Sequence, residues 1–236
     1  MFSNKDLRKL IIPLVIEQLL AVTIGMADTV MVSSCGEAAV SGISLVDSIN
    51  FLLITLFSSL ATGGAVIASQ YIGRGDHKSA SLAAKQLFYA SLALSAVLGV
   101  IAVFFRKPVL NMVFGSIEAD VMAHAQIYFL LSAISYPFLA VYNAGAALFR
   151  SMGDSRTTML ISILMNTINI VGNAVCIFVL GMGVDGVAWP SVLSRAVAAV
   201  LILNRCYQKG HMLTVPKTIR LDGRMAKRIL GIGIPS

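Results

Sequence analysis

Two carboxylic acids and one guanidinium stand inside otherwise apolar runs of this chain, at Glu17, Asp28 and Arg195. An ionisable side chain at lipid depth costs roughly 2.5 to 3.5 kcal/mol on insertion scales, so each needs a compensating role. At about 100° per residue, Glu17 and Asp28 fall within about 20° of each other on one helix face and about 16 Å apart along its axis. That separation is too long for a shared proton and suits two stations on one track. A carboxylate kept from water exchanges a proton or a hard cation when its solvent access changes. The alternative for both is a structural acid bonded to a neighbouring helix or held near the interface. Arg195 stays charged at all accessible pH. It must face protein or water, either paired with an acid or carbonyls or snorkelling toward an interface.

Neutral polar residues are patterned as well. Ser162, Asn166, Asn169 and Asn173 recur at helical spacing and lie within about 60° on one side. Their amides could present carbonyl oxygens to a cation and NH groups to a polar substrate. Interhelical hydrogen bonding, worth about 0.6 kcal/mol on average in membranes, is the structural alternative. Similar stripes run through Thr55, Ser59, Thr62 and Ser69, and through Tyr128, Ser132, Ser135 and Tyr142. Spans that each turn a polar face to a common centre enclose a cavity, although hydroxyls bonding back to their own helices would give the same pattern. Pro137 and Pro190 add bends, which serve as hinges or as static kinks.

The elements that must carry these residues are membrane helices. The chain is 57% hydrophobic and only 12% charged, with mean hydropathy +0.85, against the ~25% charged residues of soluble domains. This excludes a soluble enzyme and a disordered chain. Six stretches, roughly 10–33, 48–72, 82–105, 123–148, 157–181 and 184–205, reach the ~20 apolar residues a helical span needs. Barrel strands would show short alternating segments instead. The expected fold is therefore all-α, a polytopic membrane bundle of six transmembrane helices. Residues 1–205 would form that lobe, and 206–228 a basic cytoplasmic linker.

The net charge of +7 does not indicate nucleic acid, because the basic residues cluster between apolar blocks without aromatic interleaving. Cys35, Cys176 and Cys206 form neither a C-x-x-C pair nor an even framework. Lys5, Arg8 and Lys9 precede the first span. Arg74, Lys78 and Lys85 surround the loop after the second, and Arg150 and Arg156 the loop after the fourth. Seven more basic residues, from Arg205 to Arg228, follow the sixth. Only Arg106 and Lys107 fall opposite, where Glu37, Asp47, Glu118, Asp120 and Asp185 lie at or near the edge. The positive-inside rule then predicts a cytoplasmic N-terminus, and the expected location is the plasma membrane. The first span is too long for a signal-peptide core and carries two acids, so it reads as retained.

From Ile229 the sequence turns apolar again. Setting Pro235 against Pro13 aligns Ile229, Ile232 and Ile234 with Leu7, Leu10 and Ile12, each downstream of a basic cluster. Residues 229–236 thus read as the opening of a seventh helix and of a second repeat. Any helix entering the membrane after a basic linker would give a similar match. Gly73-Arg-Gly-Asp76 and Arg150-Ser-Met-Gly-Asp154 are Gly-Asp turns explained singly by turn chemistry. Their recurrence after alternate spans is the more specific observation.

Several motifs in order now resemble the multidrug and toxic compound extrusion family. They are Pro13 and Gln18 with Met26-Ala-Asp-Thr-Val-Met-Val32, then Gly36-Glu-Ala-Ala-Val40 and Gln70-Tyr-Ile-Gly-Arg-Gly-Asp76. Phe149-Arg-Ser-Met-Gly-Asp154, the run Asn169 to Asn173, and Gly181-Met-Gly-Val-Asp-Gly-Val187 follow. The resemblance implies two six-helix lobes around a central cavity and export of amphipathic organic cations or drugs. Inward flow of Na⁺ or H⁺ would drive that export, with no cofactor beyond the coupling ion.

This chain matches the first lobe. By position, Asp28 corresponds to the acid of the family's N-lobe cation site, with Asn169 as its polar neighbour. Asn173 stands where some members have a second acid. An aspartate with amide oxygens around it could still hold Na⁺. Glu17, Gln18, Asn166, Thr55, Ser59, Tyr128 and Ser132 are the residues expected to line the cavity. The expected partners are membrane lipids, a small organic cation and a second six-helix lobe, supplied by further sequence or by a second copy. Two other readings stay open: a lipid-linked sugar flippase of the same superfamily, and a non-transporting fragment or assembly subunit.

Overall fold

The computed structural model describes residues 4–208, the first seven by backbone alone, together with Gly223, Met225, Arg228, Ile229 and Gly231. Most of the expected linker and seventh helix, residues 206–236, therefore lies outside the described residues. Among the described residues up to 208, seven α-helices run in order: α1 Asn4–Ser33, α2 Glu37–Gly73, α3 His77–Phe104, α4 Arg106–Phe114, α5 Ala119–Ser151, α6 Ser155–Ala174 and α7 Asp185–Tyr207. A π turn, Val175–Val179, extends α6. No strand occurs among the described residues. Six of the helices are long and apolar enough to cross a membrane, and α4 is the short exception.

The expected spans are all present, and two stretches read as loop are helical. The second span begins at Glu37, eleven residues before the expected start. Ser41, Gly42, Ser44, Asp47 and Ser48 dilute the apolar signal there, but the chain needs only Gly36, with φ +98°, to turn out of α1 and into the next helix. Asp47 is therefore a residue of the span and not of its margin. The segment after the third span forms α4, whose Arg106 and Lys107 kept it from resembling a span.

The bundle is centred on α5, which packs against α2, α3 and α7, while α6 packs against α1 and α7 and α1 touches α2 only lightly. In lipid, apolar surface gains little from leaving the solvent, so helices associate through close packing at small residues. Gly42 marks one such place: a Cβ there would lie 2.9 Å from the backbone of Ala125 and Val121 on α5. Gly172 marks another, where a Cβ would lie 2.6 Å from the Cβ of Pro190 on α7. These approaches bring α2 to α5, and α6 to α7, at the level of the site. Large apolar side chains such as Ile12, Val15, Leu19, Val22, Met26 and Val30 leave α1 widely exposed.

The two Gly-Asp turns have one construction. Gly75 and Gly153 take φ +73° and +85°, and Asp76 and Asp154 then cap α3 and α6. Asp76 accepts from the Ser79 amide at 3.0 Å; Asp154 accepts from the Thr157 amide at 3.0 Å and its hydroxyl at 2.6 Å. Their recurrence is thus a repeated helix-capping device. The hydrogen bonds from Ser79 hold the exposed Asp76 carboxyl below the ordinary aspartate range.

Candidate functional site

Asp28 sits within two turns of the C-terminal end of α1, on the side facing α6. Its Oδ1 accepts a 2.8 Å hydrogen bond from Nδ2 of Asn173, and the same nitrogen lies 3.4 Å from Oδ1 of Asn169. Asn169 in turn donates to Ser191 Oγ on α7 at 2.9 Å. The asparagine stripe is thus a relay from α1 through α6 to α7. Asn173 is fully buried, and its Oδ1 has no hydrogen-bond partner. An amide that gives its NH to a carboxylate leaves a bare acceptor beside that carboxylate, a setting that calls for a proton donor or a cation.

A second polar chain descends from Asp47 on α2. Asp47 Oδ1 accepts from Asn50 Nδ2 at 3.3 Å, and that nitrogen also reaches Ser132 Oγ at 3.3 Å. Tyr136 donates to Asn50 Oδ1 at 2.9 Å. The Tyr128 phenol sits against the Asp47 carboxylate. Arg195 on α7 donates to Ser135 Oγ on α5 at 2.6 Å. Its guanidinium acts on both Asp28 and Asp47 at longer range, yet neither acid has a cation within 4 Å among the described residues. Between the two chains lies a cavity of about 110 Å³ lined by Asp28, Thr29, Ser44, Asp47, Tyr128 and Val187. Such a volume accommodates a small ion with some of its water.

Glu17 is elsewhere. Lower on α1, it meets Arg150 at the end of α5, with Oε1 3.6 Å from the guanidinium and 3.5 Å from the Tyr142 hydroxyl that donates to it. Its Oε2 is buried without a partner. The acids of α1 do share a face, as their spacing requires, but one is ion-paired and the other is not.

Among the remaining expected residues, Tyr128 and Ser132 belong to the Asp47 chain, and Asn166 donates to Ser162 Oγ at 3.3 Å within α6. Gln18 and Thr55 are exposed and Ser59 half-buried on the open side of α1 and α2; the Thr55 hydroxyl donates to the Phe51 carbonyl of its own helix. Sequence reasoning missed Asp47 and Asn50 as site residues. Their helical spacing with Ser44, three residues apart each time, was the available signal.

Comparison with known proteins now adds to this geometry. Residues 13–175 match the family model described as MatE. The chain is 30% identical over 232 residues to the uncharacterized transporter YisQ of Bacillus subtilis, a match covering 95% of this chain and 50% of that protein. It is 28% identical to the probable multidrug resistance protein NorM of Thermotoga maritima, covering 99% of this chain and 51% of the relative. One solved structure, described as a MATE in the bent conformation, superposes with TM-score 0.88 at 22% identity over 97% of this chain and 51% of its own. Another, an outward-facing multidrug resistance MATE family transporter of the MOP superfamily, gives TM-score 0.84 at 25% identity, with the same coverage. The chain spans about half the length of the curated relatives it matches.

Proposed function

Because this chain belongs to the MatE family, we propose that it forms one six-helix lobe of a cation-coupled antiporter exporting amphipathic organic cations or drugs. Asp28 is the coupling carboxylate in this reading, and Asn173 and Asn169 are its neutral partners. One observation carries it. Among the described residues, Asp28 is held by an uncharged amide beside a small polar cavity and is not neutralised by a cation within the fold.

A lipid-depth carboxylate without a salt bridge is the group most responsive to an arriving Na⁺ or H⁺. Binding of either removes the negative charge that the Asn173 amide accommodates, and the α1–α6 contact is then free to rearrange. Coupling follows only if the two access states bind the ion with different affinities, and the Asp28–Asn173 bond joins the two helices whose separation would set that difference. A second six-helix lobe, from further sequence or from a second copy with the same orientation, would complete the substrate cavity. The setting is the plasma membrane with the N-terminus cytoplasmic. The acids Asp28 and Asp47 beside the small cavity give no support to an anionic lipid-linked sugar as cargo.

The test is dye efflux from vesicles carrying the complete two-lobe protein, driven in separate arms by a Na⁺ gradient and by a proton gradient. Asp28→Asn is expected to abolish gradient-driven efflux in whichever arm the parent protein uses, with membrane insertion preserved. Efflux equal to the parent's would reject Asp28 as the coupling group.

A further inference from the structure

The cavity beside Asp28 has a chemical bias that Asp28 alone does not explain. The polar side chains among its lining residues all end in oxygen: the carboxylates of Asp28 and Asp47, the hydroxyls of Thr29 and Ser44, and the phenol of Tyr128. Thr29 Oγ1 donates to the Gly25 carbonyl and Ser44 Oγ to the Val40 carbonyl, both at 2.8 Å. Their hydrogens are therefore committed to their own helices, and what they turn to the cavity are lone pairs. Beside this wall the fully buried Asn173 keeps an acceptor oxygen without a partner while its nitrogen holds Asp28. An all-oxygen, acceptor-rich lining is what a hard cation selects.

We propose that Asp47 is a second cation ligand, so that Asp28 on α1 and Asp47 on α2 together form one site for a monovalent cation of the sodium class. This rests on the reading of Asp28 as the coupling carboxylate and adds the group that closes the site from the opposite helix. Charge decides the valence. With both acids ionised and the Arg195 guanidinium acting on them from a distance, the surroundings carry a single net negative charge, which one monovalent ion cancels and a divalent ion overshoots. Arg195 does not take the ion's place, because its Nη1 is tied to Ser135 at 2.6 Å on α5. Among the described residues no three His, Cys, Asp or Glu side chains come together as a metal-binding group. Asn50 at 3.3 Å and the Tyr128 phenol steady Asp47 while leaving it open to the cavity. Because α1 and α2 pack lightly on each other, an ion held by both acids would be the main polar link between these two helices at this depth.

The experiment is calorimetric titration of the full chain in lipid nanodiscs with sodium chloride against choline chloride at constant ionic strength. Measured Na⁺ affinity should fall by about tenfold or more in Asp47→Asn, as expected when a site loses one of two charged ligands. Asp47→Glu keeps the charge and should retain an intermediate affinity, which guards against a loss due to misfolding. Asp28→Asn should lose binding altogether. If Asp47→Asn binds Na⁺ within about twofold of the parent while Asp28→Asn does not bind, Asp47 is no ligand and the reading of Asp28 stands. If both variants bind like the parent, both readings fall. A parent chain showing no Na⁺ heat above the choline control overturns the sodium site.

Discussion

Tyr136 illustrates how little slack a single residue has in this core. Its hydroxyl is the donor that satisfies Oδ1 of Asn50, a side chain only 4% exposed, and Asn50 in turn positions Asp47 and bonds to Ser132. Removing the hydroxyl leaves a buried acceptor without a partner, which costs about 1–3 kcal/mol, whereas the net worth of an ordinary hydrogen bond is nearer 1 kcal/mol. Tyr136→Phe is therefore expected to lower the thermal midpoint of the detergent-solubilised chain measurably. Equal midpoints for Tyr136→Phe and the parent would show that Asn50 finds another donor. The same residues mark what was legible in the sequence. Asp28 and Asn173 stand out because they interrupt strongly apolar runs, and the pairing of their helices follows the asparagine spacing. Asp47 does not stand out, since Ser44, Ser48 and Gly42 around it make the stretch resemble a polar loop. A window average cannot separate a loop from a span that lines a wet cavity.

Between helices, contact distance is set by what a glycine permits. At Gly42 the obstruction to a Cβ is backbone of α5, which cannot move aside, whereas at Gly64 it is the side chain of Leu87, which can. Overpacking of this sort costs about 1–3 kcal/mol where the neighbour cannot yield. Gly42→Ala should therefore destabilise the chain more than Gly64→Ala in parallel thermal melts, and the reverse order would contradict the described α2–α5 contact. The capped turns give a second expectation. Replacing Asp154 by Ala removes the acceptor of the Thr157 amide and should cost about 1 kcal/mol. At Asp76 the carboxyl titrates below its unfolded value, so its contribution is present above the ordinary aspartate range and disappears as pH falls through the lower folded value. Hydrogen-exchange protection of the Ser79 amide should hold from neutral pH through the ordinary aspartate range and weaken only below it; protection that rises on acidification would have the wrong sign. That both Gly-Asp turns cap helices is not evident from either motif alone. It needs the positive φ of Gly75 and Gly153, a property of backbone path that sequence only permits.

For the molecule as a whole, six spans and their alternation are readable because a sustained run of ~20 apolar residues is the length a bilayer demands and exceeds what a buried soluble helix needs. The short α4 escapes notice because its charged start masks a helix lying against α5. The direction of insertion rests on a different quantity, the side on which basic residues collect. The turns at Gly75 and Gly153 fall at one end of the bundle together with the start of α1 and the end of α7, and α4 falls at the other. Lys5, Lys78, Arg156 and Arg205 are at the first end; Arg106 and Lys107 are at the second. Each Lys or Arg near an anionic cytoplasmic leaflet is worth about 1 kcal/mol, so the asymmetry favours one orientation by several kcal/mol. With Cys35, Cys176 and Cys206 replaced by Ala, a single cysteine at Lys107 should react with a membrane-impermeant maleimide on intact cells. One at Lys78 should react only after permeabilisation. Both positions are exposed in the fold, so neither result depends on burial, and labelling of Lys78→Cys alone on intact cells would invert the orientation. Inversion would also move Asp28 and Asp47 to the cytoplasmic half of the bilayer, where an inward ion gradient could not load them first; the orientation and the proposed coupling therefore stand or fall on the same labelling pattern.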